Sequence, residues 1–265
     1  MDVRLSRIWG IFFLTIISLF FSNSCGKRLD MSTAYGRQGL IDQTNQYLSA
    51  GNCNGAMGSI DQLYFSSYVN EEIVILKASA YACNASFSLI NLVSNLAAPV
   101  SQIPNTFAAL AHTIPFAGGA AHSDGRLDNL YSAVDILTGG NSVLQASLRT
   151  VERNNYMIFL QLGLFGAVLS NYGSPNPTTG AKGAPLVYAT MATIDSCAMM
   201  ASIATIVDSF AHASLSGDPN INNAVTLFNA ACAATGKACA ALGMNRNACN
   251  AVDAAVLVGA VNAAW

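Results

Sequence analysis

The sequence predicts an all-α protein, in which helical-hairpin repeats run on into an apolar, alanine-rich helical bundle. Three observations carry that reading. Apolar residues recur three and four positions apart along most of the chain, no strand-like alternation of any length competes with them, and glycine, asparagine and proline stand where the periodic segments start and stop. Hydrophobic residues make up 52% of the chain and charged residues only 10%, against roughly 25% charged in an ordinary soluble protein. The solvated faces must therefore be covered by Asn, Ser, Thr and Gln.

The chain opens with Arg4 and Arg7, followed by a 14-residue apolar core over residues 8–21. Such a run has the length of a signal-peptide core and falls short of the ~20 residues a membrane-spanning helix needs. Ser22, Asn23 and Ser24 then lead into Cys25 and Gly26. This ending resembles the lipobox of bacterial lipoproteins, whose signal is cut immediately before a cysteine that receives a diacylglycerol. Ser22 stands where that family usually carries Leu. The resemblance implies a signal peptide over residues 1–24, acylation at Cys25 with palmitate-type chains, and a place in the bacterial cell envelope, held by lipid to a membrane facing the periplasm or the cell surface. Ser22 and Ser24 also fit the small-x-small pattern of ordinary secretory cleavage, which would release a plain secreted protein starting at Cys25.

Removing Arg4, Arg7 and Asp2 with the signal leaves 10 basic against 13 acidic residues. No basic run could neutralise several phosphates in register, so nucleic acid is not an expected partner. Seven cysteines remain to be explained: Cys25, Cys53, Cys83, Cys197, Cys232, Cys239 and Cys249. In an oxidising compartment thiols pair, and acylation of Cys25 accounts for the odd one, leaving six for three disulfides. Proximity along the predicted helices suggests Cys197–Cys232 and Cys239–Cys249. A zinc site is not expected, because the chain has no C-x2-C and none of His112, His122 and His212 lies at ligand spacing from a cysteine pair. No metal or cofactor is anticipated.

Residues 25–36 are polar and suit a tether. Leu40, Ile41, Tyr47 and Leu48 then fall at helical spacing, Gly51 offers a left-handed stop, and Asn52 can cap a second helix bearing Ala56, Met57, Ile60, Leu63 and Tyr64. Asn70 caps a third, with Glu71 and Glu72 favourably placed in its first turn. Residues 37–96 here resemble a tetratricopeptide repeat, a 34-residue helix–turn–helix unit. Tyr47, Gly51, Ala56, Ile60 and Leu63 stand at that family's aromatic, turn and packing positions, and Ala78 and Tyr81 open the next unit on time. Tyr68 replaces the closing proline, Thr44 replaces the small residue of the first helix, and the register ends near residue 85. In stacked hairpins the start of one helix lies beside the end of the next, which places Cys53 against Cys83. The first helix of each unit lines a concave surface in that family, which nominates Ile41, Asn45, Leu48, Ser79 and Ala82 for binding.

A helix over residues 89–96 extends the body. Residues 97–125 form an irregular stretch with Pro99, Pro104, Pro115 and Gly118-Gly119, broken by a short helix near residues 107–112. Residues 126–265 are expected to form a helical bundle continuous with the repeats. Its first helix carries Leu127, Leu130, Val134 and Leu137 and stops at Gly139-Gly140. A long helix opens at Asn141 or Ser142 and ends near residue 172. Another starts at Pro185 and runs to about residue 213, a third follows Asp218-Pro219, and short alanine-rich helices surround Cys239 and residues 248–263. The apolar runs at 156–169, 187–207 and 248–263 are read as buried helices, because the last two contain Asp195, Asn250 and Asp253.

The starting residues of common catalytic routes are missing: the chain has no G-x-S-x-G, H-E-x-x-H or G-K-[ST] motif. His122 and Asp124 could form half of an acid–base pair, though ordinary loop polars are the expectation. Asp195 and Asp208, on one predicted helix, need partners in apolar surroundings, and nearby Ser or Thr would serve. His212 complements the helix dipole there. The sequence thus leads to a membrane-anchored envelope lipoprotein that binds a protein or peptide and does no chemistry. Two other readings stand beside it: the helical lipoprotein component of a solute transport system with an apolar ligand, and an envelope hydrolase using His122 and Asp124.

Overall fold

The structure, a computed structural model, describes residues 29–114, 124–139, 145–215 and 217–265. Cys25, His122 and Gly118-Gly119 lie outside them. The described residues are all-α, with no strand among them: α1 Ala34–Ser49, α2 Cys53–Tyr64, α3 Glu71–Asn84, α4 Leu89–Leu96, α5 Thr106–Thr113, α6 Arg126–Thr138, α7 Val151–Gly173, α8 Thr193–Phe210, α9 Pro219–Ala233 and α10 Ala251–Ala264. Short 3-10 turns occupy Ala146–Leu148, Tyr188–Thr190 and Cys239–Ala241.

Local chemistry sets most of these limits. Asn52, Asn70, Ser88 and Asn105 each accept a hydrogen bond from a backbone N–H in the first turn of the helix they precede. Asp218 does the same for α9, with Pro219 at its first position. Gly51 and Gly139, at φ of 69° and 75°, follow the ends of α1 and α6 in the left-handed region that glycine enters at no steric cost.

Two of the helices start later than the sequence leads one to expect. The helix awaited from Asn141 or Ser142 opens at Val151, because Thr150 is the residue whose hydroxyl reaches the N–H of Arg153. The helix awaited from Pro185 opens at Thr193, so Asp195 sits in its first turn rather than mid-helix.

The helices share two cores, and α3 belongs to both. Its Ile73, Leu76 and Ala80 pack with Leu40, Ile41, Ala56, Ile60 and Leu63 of the first hairpin. Its Val74, Ala78 and Ala82 face the larger core built by the remaining helices. The centre of that larger core is α7, which packs against α3, α4, α5, α6 and α8. By length and composition α7 could cross a membrane, yet 83% of its apolar window is buried within the protein, as a core helix requires. Small residues make the close packing possible. A Cβ at Gly166 would lie 2.2 Å from the Leu110 carbonyl oxygen of α5, and one at Gly163 would lie 2.4 Å from the Phe87 ring. Phe107, Phe165 and Phe228 fill the space between α5, α7 and α9, with ring centroids 5.1–6.1 Å apart.

Three disulfides brace the fold. Cys53–Cys83 joins the start of α2 to the end of α3, as the hairpin geometry predicts. The other two correct the expected pairing: Cys197 bonds Cys249, and Cys232 bonds Cys239. The reason is tertiary. α10 packs along α8, so Cys249, just ahead of α10, meets Cys197 near the start of α8. At the end of α9, Gly236 takes a φ of 75°, and the chain reverses to bring Cys239 back to Cys232. Multiple disulfides are the signature of an oxidising, extracytoplasmic compartment.

Candidate functional site

The richest concentration of polar chemistry is buried between α6, α7 and α8. Asp195 is fully buried. The Tyr131 hydroxyl of α6 donates to one of its oxygens at 2.5 Å, and the Tyr172 hydroxyl of α7 donates to the other at 2.6 Å. Tyr172 also accepts the N–H of Ala192 at 3.0 Å. That contact caps α8, whose own N-cap residue has no side chain able to do so. Burial, and then the Asp195 carboxylate, hold the Tyr131 hydroxyl far above the ordinary phenol range. The same two causes push Tyr172 up to about 12, so both remain protonated donors.

The network extends outward. The guanidinium of Arg246 lies 4.8 Å over the Tyr131 ring and forms a two-pronged pair with Asp135 of α6, at 2.5 and 2.6 Å. One carboxylate thus orders three helices, and the 240s segment is clamped to α6 by the second. Beyond the nearby Ser or Thr that the sequence suggests, Asp195 has two tyrosine partners from other helices, 64 and 23 residues away in sequence.

Asp208 is equally committed. It accepts the N–H of Ala146 at 2.9 Å and pairs with Arg149 at 3.4 Å, while the same guanidinium donates to Ser209 at 3.1 Å. His212 Nδ1 lies 3.1 Å from the Asp208 carbonyl oxygen, at the end of α8. Asp124 is held by Arg126, whose side chain and backbone N–H both donate to it at 2.7 and 3.0 Å. Those hydrogen bonds keep its carboxyl below the usual range, which makes it a weak base. Its candidate partner His122 falls outside the described residues. No group of three or more His, Cys, Asp or Glu that could hold a metal occurs among the described residues.

The residues nominated for binding are distributed. Ile41 belongs to the core of the first hairpin and Ala82 to the larger core. Ser79 donates to the Ile75 carbonyl at 2.8 Å and meets the Tyr156 hydroxyl at 2.9 Å. Asn45 is exposed on the outer side of α1 among exposed Gln38, Asp42, Gln46 and Ser49, whereas Leu48 is half-buried and packs against the core of the first hairpin. Burial of Ile41 and Ala82 follows from helices on two sides: α1 is covered by α2 and α3, and α3 is covered by α6.

Sequence reasoning missed Lys77, which is buried. It pairs with Asp61, and its ammonium lies 4.8 Å from the centre of the Tyr81 ring and 5.7 Å from that of Phe65. Glu71, expected to serve only the α3 dipole, also binds Arg153 and Thr150 of α7. Burial opposes ionisation of Glu71, but these hydrogen bonds and the guanidinium charge hold its carboxyl below the usual range. The chain matches no family model, no curated protein and no solved structure.

Proposed function

We propose that the chain is a lipid-anchored envelope protein acting as a non-catalytic helical interaction module, with a protein or peptide partner on the outer side of its first hairpin. The observation that carries this reading is the position of α1. It belongs to a helical hairpin with its own small core, stapled to the body through Cys53–Cys83. Its outer side offers Gln38, Asp42, Asn45 and Ser49 to solvent, a polar strip able to hydrogen-bond a peptide, while half-buried Leu48 packs on the hairpin core. The ionisable groups at the centre of the body support the same reading, since Asp195, Asp208, Asp135, Arg149 and Arg246 are each bound to one another or to neighbouring structural groups.

A photo-crosslinking residue in place of Asn45 tests the reading in intact cells. It should yield one discrete adduct with an envelope protein, while the same residue in place of exposed Thr226 on α9 yields none. Equal labelling from both positions, or none from either, would refute the assignment of α1 as the recognition helix.

A further inference from the structure

The first hairpin ends in a cluster of exposed aromatic residues. Tyr35 is 85% exposed, Phe65 77%, Tyr68 43% and Val69 44%. Water-facing aromatics in this number call for an explanation, since each carries a large apolar surface. Their place in the fold supplies one. Ser59 donates to Gln43 at 3.2 Å, and Arg37 lies 4.1 Å over the Tyr68 ring. This antiparallel register brings the start of α1, with Tyr35, beside the 65–69 turn that follows α2.

The same end of the molecule is where the chain arrives from Cys25. Arg37 donates to the carbonyls of Met31 and Ser32 at 3.0 and 3.2 Å. Leu29, Asp30, Met31, Ser32 and Gln62 line a single surface crevice. The incoming segment is therefore tied to the α1–α2 end rather than trailing free. From Cys25 to Leu29 the chain can span no more than ~14 Å, at about 3.5 Å per residue.

We propose that this aromatic end face rests in the headgroup zone of the phospholipid bilayer that holds the acyl chains of Cys25. The proposal depends on the anchoring described under the proposed function. Aromatic side chains with a polar tip favour that zone, where the ring is half in hydrocarbon and the hydroxyl reaches water. The charges at this end are largely engaged within the protein. The Asp30 carboxylate accepts the N–H of Ser32 at 2.9 Å, Asp61 is paired with Lys77, and Arg37 is held on the two carbonyls. Asp30, although hydrogen-bonded, is exposed, as is Glu72 in the first turn of α3, so two acids remain at the border of this face. A tether this short keeps the face at high effective concentration beside the bilayer, so individually weak contacts suffice to orient the body.

The test uses the full chain purified from membranes and reconstituted in phosphatidylethanolamine–phosphatidylglycerol vesicles with brominated acyl chains, which quench tryptophan on contact. Three variants are compared, Phe65→Trp, Ile90→Trp and Thr226→Trp, each read after subtracting the emission of the unaltered chain, whose own tryptophans are common to all three. Ile90 is a demanding control, because it is 78% exposed and apolar but lies on α4, beyond the far end of α3. The mass of the N-terminal peptide reports acylation separately. Phe65→Trp should lose at least half its emission to brominated chains, with little change in the other two. An acylated, vesicle-bound protein in which Phe65→Trp is unquenched, or no more quenched than Ile90→Trp, overturns the face and leaves the anchor standing. Quenching of Phe65→Trp in protein without an acyl group supports the face and overturns the anchor; neither acylation nor quenching overturns both. A concentration-dependent blue shift of Phe65→Trp without vesicles would show a second copy covering the patch and would also overturn the proposal.

Discussion

A chain in which both Cys197 and Cys249 are replaced by Ser should lose about 4 kcal/mol of stability, the largest effect expected from any one bridge. The estimate follows from loop length: the bridge spans 52 residues, and the entropy a cross-link removes from the unfolded chain grows with the logarithm of the loop it closes. The 7-residue loop of Cys232–Cys239 is worth about 2 kcal/mol on the same scale. Urea denaturation of the two double variants checks the ordering. The pairing is tested in the same series, since either single Ser variant should cost about as much as the double variant that removes that bridge. If Cys197→Ser and Cys249→Ser instead add when combined, the two cysteines belong to different bridges.

Asp195→Ala should cost about 3 kcal/mol, because it takes the acceptor from the buried Tyr131 hydroxyl and the half-buried Tyr172 hydroxyl and removes the group that ties α6, α7 and α8 together. Tyr131→Phe and Tyr172→Phe should each cost about 1 kcal/mol, as each removes one hydrogen bond to the carboxylate and leaves the other tyrosine in place. Thermal unfolding of the four proteins gives the comparison. Crosslinking through position 45 should survive Asp195→Ala at temperatures where the chain stays folded. Unchanged stability with loss of that crosslink would make Asp195 part of a binding site instead of a structural tie.

Much of this architecture is legible in the sequence wherever the deciding interactions are local. Asn52, Asn70 and the Asp218-Pro219 pair mark helix starts, because a side chain within three residues satisfies the free N–H groups. The Cys53–Cys83 bridge is legible for a related reason: hairpin geometry carries a local pattern over only 30 residues. Where the deciding partner is distant, the sequence is silent. The start of α8 is capped by the Tyr172 hydroxyl, so the apolar run from residue 187 gives no sign that its first residues are not helical. The Cys197–Cys249 bridge follows from α10 lying along α8, a packing that an apolar, alanine-rich helix does not encode in its periodicity. The nominated binding residues divide on the same principle. Periodicity puts Ile41 and Asn45 on one helix, but only the positions of α2 and α3 decide that the first is core and the second surface.

The most direct measurement on the account as a whole is fractionation of cells carrying Cys25→Ser. A body held to the envelope by that residue should move from the carbonate-washed membrane pellet to the soluble extracytoplasmic fraction, still folded and with its three disulfides intact. Retention of Cys25→Ser in the washed membrane, at the level of the unaltered chain, would contradict the lipid anchor and with it the proposal that the module works at a membrane surface.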